Sequence, residues 1–291
     1  VTNEDFRKNQ EPVYVQNTFF PRMYWTQESD VAKINGYKEW SGYNANNEVN
    51  PNDVIGADGK RLPTFGENLT YFARYQINWM YWRYFMWNFA GRQNDIQGHG
   101  DEMRGNWISG ISAIDEMRLG AQGSDAPTFT QNNESQNSFY FLPLILGFIG
   151  IFFHFYRAPK DAFIVFLTFI FTGLAIVIYL NQKPFEPRER DYAYAASFYA
   201  FAMWIGIGVF ALYEAFKSFG KKEFKGVGMV IAGGIPVCLI FDVAAGSGFP
   251  VVMSWLFMGV TAFLVLGLMS LLGAQLKKET NAAVVSILLT P

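Results

Sequence analysis

Apolar and polar positions divide this chain into two halves of different character. From Phe139 onward apolar residues dominate, broken at near-regular intervals by short polar stretches. Five runs stand out: Phe139–Tyr156, Ala162–Leu180, Ala195–Phe216, Val227–Ala245 and Val251–Leu272. Each is close to the roughly 20 residues a helix needs to cross the hydrocarbon core of a bilayer. A sixth run begins near Ala282. Residues 1–137 contain no uninterrupted apolar run of that length. Turn-forming clusters such as Asn44-Ala45-Asn46-Asn47 and Asn50-Pro51-Asn52-Asp53 make their first half loop-like.

One stretch of the polar half differs. Between Tyr71 and Phe89, ten of nineteen residues are aromatic, and Tyr71, Tyr75, Trp79, Trp82 and Phe89 recur near helical spacing. The pattern predicts a helix over 69–91. Arg74, Gln76, Asn78, Arg83 and Asn88 make exposure of that helix to lipid tails costly. Trp and Tyr favour the headgroup level, so the expectation is an interfacial helix or one packed on the membrane bundle. A core helix of the polar region is the competing reading.

Lysine and arginine orient the spans. Arg157 and Lys160, the lysines of Ser218–Lys225, and Lys277 with Lys278 all fall on one side if the spans alternate. The positive-inside rule makes that side cytoplasmic. The predicted fold is therefore an all-α polytopic membrane protein of five transmembrane helices and the start of a sixth. It is preceded by an aromatic-rich, loop-and-helix periplasmic region. The expected parts are 1–137 outside, 138–280 in the membrane, and 281–291 opening a further span, in the inner membrane of a bacterium. The sequence is expected to be part of a longer polypeptide.

The chemistry concentrates between the second and third spans. The segment from Asn181 carries Pro184, Pro187, Arg188, Glu189, Arg190 and Asp191, followed by Tyr192 and Tyr194. The two prolines bar a regular helix. Charged groups at a membrane edge are costly unless paired, which makes a functional site the default reading. Two arginines in a stiff loop suit a phosphate near the headgroups, because guanidinium forks bind phosphate oxygens in pairs. Glu189 and Asp191 then either orient those arginines, or one of them holds a substrate hydroxyl or acts as a base. The bland alternative is a connecting loop whose charges cancel.

Composition narrows the classes further. The 291 residues are 51% apolar and 18% aromatic with a net charge of −2, which leaves no basic face for nucleic acid. A single cysteine, Cys238, excludes an internal disulfide and a thiolate metal cluster. Asp95, His99, Asp101 and Glu102 lack any known ligand spacing, so no metal or other cofactor is expected. His154, at the end of an apolar run, reads as interfacial. Asp242 is the one acid well inside a span, too little for a proton relay.

The strings MYWRYFMWNFAGRQND (Met80–Asp95), GNWISGI (Gly105–Ile111), FLPLILGFIG (Phe141–Gly150) and PRERDYAYAASFYAFAMWIG (Pro187–Gly206) resemble a bacterial family of large inner-membrane proteins. That family, long of unknown function, is grouped with protein O-mannosyltransferases of the GT-C type. The resemblance runs from about Phe19 onward and corresponds to the later half of the membrane region. It implies a transferase that moves a sugar from a polyprenyl-phosphate donor to periplasmic protein acceptors, with the catalytic acid in an earlier external loop outside this chain. The positions that carry over as substrate-binding candidates are Arg83, Asn88, Arg92, Asp95, Arg188, Glu189, Arg190, Asp191, Tyr192 and Tyr194. The implied partners are membrane lipid, the lipid-linked sugar and acceptor proteins. A second hypothesis is a non-enzymatic inner-membrane subunit of an envelope complex, such as a secretion or motility machine, with other membrane subunits as partners.

Overall fold

The computed structural model describes residues 20, 22, 31–44, 55, 61–122, 127–128, 131, 133–185, 188–218, 221–245 and 249–273. The expected sixth span, Lys277, Lys278, Glu186 and Pro187 lie outside the described residues. The chain divides into two compact units, Val1–Phe72 and Ala73–Pro291. The division falls earlier than the sequence boundary at 137, because the aromatic helix and the loops after it pack with the apolar helices.

In the first unit, helices α1 (Val31–Ser41) and α2 (Phe65–Tyr71) meet through side chains. Tyr37 donates to Asn68 Oδ1 at 2.9 Å, and its ring lies 4.7 Å from that of Tyr71. Helix α2 starts where Thr64-x-x-Glu67 forms a capping box: Thr64 Oγ1 accepts from the Glu67 N–H, and Glu67 accepts from the Thr64 N–H at 2.7 Å. The same carboxylate takes a two-pronged bond from Arg61, at 2.6 and 3.0 Å.

The second unit opens with the aromatic stretch, a π-helix over Phe72–Trp82 followed by α3 (Arg83–Phe89). A two-residue antiparallel ladder, β1 (Gly91–Arg92) with β2 (Asn137–Ser138), ties the ends of the next loops together. Between the strands lies α4 (Ser112–Leu119). Buried Asp115 anchors the turn before α4 by accepting from the Ser109 and Gly110 N–H groups, both at 2.8 Å.

The apolar helices follow: α5 (Leu142–Arg157), α6 (Pro159–Thr172), α7 (Leu174–Leu180), α8 (Ala195–Ser218), α9 (Lys221–Ala245) and α10 (Pro250–Gly273). Among the described residues three stretches are long and apolar enough to cross a membrane: Pro159–Leu180, Asp191–Glu214 and Lys225–Val243. Leu142–Arg157 and Pro250–Val265 are apolar but shorter, so the structure supports three spans where the hydropathy pattern predicts five. The protein is mostly helical; among the described residues the departures from an all-α fold are the small ladder and two isolated bridges, Ile55 with Arg61 and Arg92 with Trp107.

Small residues set the bundle's closest approach. Gly147 of α5 faces the Phe201 ring of α8, while Gly150 meets the Trp204 carbonyl and Gly208 meets the Leu146 carbonyl. These glycines bring the α5 and α8 backbones into direct contact, as glycine permits between membrane helices. The break between α6 and α7 falls at Gly173, where an added Cβ would lie 2.6 Å from both Ser197 Oγ and Tyr81 Oη. Ser197 donates to the Phe169 carbonyl at 2.9 Å, satisfying an acceptor near the break. Helix α9 packs on α10, and buried Asp242 caps α10 by accepting from the Val251 and Val252 N–H groups at 3.1 and 2.9 Å. That gives the one acid in a span a structural role. His154 accepts from Trp204 Nε1 at 3.3 Å and is likewise engaged within the bundle. Tyr156 and Tyr179, at opposite ends of neighbouring helices, are 85% and 83% exposed, as aromatic residues at two headgroup levels would be.

Candidate functional site

The aromatic helix holds the charged loop after α7. Gln76 donates to Asn181 Oδ1 at 2.9 Å and to the Gln182 carbonyl at 3.1 Å, and Tyr75 donates to the Lys183 carbonyl at 2.8 Å. About two helical turns further on, Arg83 and Tyr84 take the Glu189 carboxylate. Arg83 Nη2 lies 2.8 Å and Nη1 3.4 Å from its two oxygens, and Tyr84 donates to Oε2 at 2.5 Å. The Tyr84 hydroxyl also accepts from the Arg190 N–H at 3.1 Å.

Arg83 is fixed from every side. Its Nε donates to the Trp79 carbonyl and its Nη1 to the Gly105 carbonyl, while its guanidinium lies 4.2 to 4.6 Å from the ring centres of Trp79, Tyr84 and Trp87. At 2% exposure this cation has lost its hydration, so the carboxylate and the ring faces must replace it. Burial by itself would raise the Glu189 pKa. The Arg83 fork, the Tyr84 hydroxyl and the Gly98 N–H outweigh it and hold the carboxyl below the usual range. Burial, with Glu189 adding to it against the opposing Arg83 charge, pushes the Tyr84 hydroxyl up, so it stays a protonated donor.

Glu189 is therefore spent on Arg83 and Tyr84 rather than on orienting Arg188 and Arg190, because alternating charge along a loop satisfies a local pairing equally well on paper. Arg190 is half-buried beside Tyr84. Arg188 points outward, exposed, with its guanidinium 5.9 Å from the Tyr192 ring. Among the described residues it has no ion-pair partner. Asp191 and Tyr192 are exposed at the start of a 3-10 turn, Asp191–Tyr194. Tyr194 is buried and donates to Gln182 Oε1 at 3.2 Å, a structural position rather than a surface one.

The other candidates sit on the aromatic helix and the loop after it. Asn88 is exposed and bonds its own helix through the Tyr84 carbonyl. Arg92 lies on the Trp87 face at 4.1 Å and donates to the Asn94 carbonyl. Asp95 is exposed and accepts from Asn133 at 3.1 Å, which lowers its pKa. Arg83 alone of these four reaches the charged loop. Among the described residues no group of three His, Cys, Asp or Glu side chains is placed to hold a metal.

Two buried amides that the sequence pattern does not single out shape the loop from Arg92 to Asn106. Asn94 accepts from the Gly105 N–H at 2.8 Å and donates to the Met103 carbonyl at 2.8 Å. Gln93 donates to the Glu102 carbonyl, and its backbone N–H to Asn106. Tyr75 and Gln76 read in the sequence only as helix positions, and Tyr84 is not singled out; none of the three is marked there as a holder of the charged loop. Their signal is Arg83 itself: an arginine flanked by Trp82 and Tyr84 in an aromatic-rich helix requires an acid from elsewhere.

Residues 3–73 match a family of unknown function (DUF8416). The match coincides closely with the first compact unit and leaves the aromatic helix beyond Ala73, the charged loop and the apolar helices outside it. No curated protein and no solved structure matches the chain.

Proposed function

We propose that this chain is part of a membrane glycosyltransferase of GT-C type, and that its Arg188 loop holds the phosphate of a polyprenyl-phosphate sugar destined for periplasmic proteins. The observation that carries this reading is the exposed guanidinium of Arg188, on a loop clamped by Arg83 and Tyr84, at the end of the α6–α7 span. A phosphate at headgroup depth meets a cation whose neighbouring backbone is already held, so its binding forfeits little loop-ordering entropy. The PRERDYAY resemblance supplies the reaction class. In this reading Leu142–Arg157 and α10 also cross the bilayer, making five spans, and the Arg188 loop faces outward. The donor is the lipid-linked sugar, and no other cofactor is invoked.

Orientation has a direct test. With Cys238 replaced by serine, cysteines at exposed Gln136 and exposed Lys160 are expected to label from opposite faces, Gln136 from the periplasm. Labelling of both from one face would overturn the span order. The function is tested by binding of a short prenyl monophosphate to the full-length protein in detergent, and by glycosylation of periplasmic proteins in cells at matched expression. A charge-assisted bond is worth about 1.5–3 kcal/mol, so Arg188→Ala is expected to weaken binding about tenfold or more. Arg188→Lys recovers part of that, since an ammonium keeps the charge without the fork. Unchanged binding and glycosylation in Arg188→Ala would favour a non-enzymatic envelope subunit.

A further inference from the structure

Resting on that reading, we propose that His99 is a second phosphate-binding residue, acting from the opposite lip of the same site as Arg188. The two are brought together by one hydrogen bond. The Gly98 N–H donates to Glu189 Oε1 at 3.4 Å. His99 follows Gly98, and Arg188 precedes Glu189, so their backbones flank a single contact between two loops. The Gly105 carbonyl, at the far end of the His99 loop, binds the same Arg83 that holds Glu189, which locks the pair of loops a second time.

Three features give His99 a fixed, accessible place. Buried Gln93 and Asn94 staple the base of its loop, so the tip carrying His99 to Arg104 is a shaped surface rather than a slack connection. Its imidazole, on an exposed residue, sits 4.9 Å from the Phe185 ring. Phe185 in turn holds a left-handed backbone, φ 57°, which a bulky residue adopts only under constraint from its surroundings. Phe185 therefore ties the His99 ring to the chain segment that leads to Arg188. Imidazole N–H and guanidinium N–H groups both donate to phosphate oxygens, and neither competes with the other for Glu189.

Asp101 and Glu102 on the same tip are acids, so an anion is favoured at the His99–Arg188 edge and not across the whole tip. A lipid phosphate and free phosphate share this chemistry, and the test separates them. Binding of a short prenyl monophosphate and of inorganic phosphate is measured on the full-length protein in detergent. The variants are His99→Ala, His99→Gln, Arg104→Ala and Arg188→Ala, each with its melting temperature. His99→Ala is expected to weaken prenyl-phosphate binding about tenfold with an unchanged melting temperature, and His99→Gln less, because the amide keeps a donor. Binding of prenyl phosphate but not inorganic phosphate assigns the site to lipid; equal loss for both assigns it to phosphate in general. Full binding in His99→Ala, with loss in Arg188→Ala, overturns the proposal and leaves the Arg188 reading standing. Equal loss in His99→Ala and Arg104→Ala also overturns it, since a diffuse positive field would then account for both. Full binding in all variants overturns both readings.

Discussion

Replacing Arg83 by methionine is expected to unclamp the charged loop and cost about 3–5 kcal/mol, the penalty for removing one member of a buried ion pair. The Glu189 carboxylate would remain against Tyr84 and the Gly98 N–H with its main counter-charge gone. Methionine keeps apolar contact with Trp79 and Trp87, which separates loss of charge from loss of packing. The double variant Arg83→Met with Glu189→Gln is expected to recover much of the loss, because no charge is then left buried. The measurements are the melting temperature in detergent and the rate of proteolytic cleavage within 181–190. A double variant no better than the single would show that packing, not the ion pair, holds the loop.

The same pair predicts a pH dependence. Glu189 has a lowered pKa in the folded protein. Its contribution is present above the unfolded carboxylate value of about 4.3 and is lost as pH falls through the lower, folded value. Loop protection in the parent protein is therefore expected to fall in acid below about pH 4, while the double variant, having no carboxylate there, responds less.

Placing leucine at Gly150 is expected to cost on the order of 3 kcal/mol, the upper end of overpacking penalties, and to abolish recovery of folded protein. The obstacle is backbone. A Cβ at Gly150 meets the Trp204 carbonyl, and α5 has no side chain there to rearrange. Alanine at Gly150 should already be destabilising. Gly206, on the same α8 but exposed and with nothing within 4 Å of its Cβ position, provides the contrast. Gly206→Ala is expected to be neutral or stabilising by about 0.5–1 kcal/mol, the helix penalty that glycine carries. Folded yield and melting temperature of the two alanine variants check the pair, and equal behaviour would refute close α5–α8 packing.

The parts of the fold legible in the residues are those that local physics controls. Apolar run length located α6–α7, α8 and α9 to within a few residues, since a bilayer-length helix is legible from consecutive side chains. The aromatic stretch is visibly helical, although its wide π-turns and the break at Gly173 are not written in any residue pattern. Tertiary structure alone decided where the charges go. Glu189 lies one residue from two arginines, yet pairs with Arg83, 106 positions away. Charge alternation states only that partners exist. Which partner wins depends on which cation has lost its water, and Arg83, buried among Trp79, Tyr84 and Trp87, has lost the most. That choice leaves Arg188 facing outward, and no spacing rule reveals it.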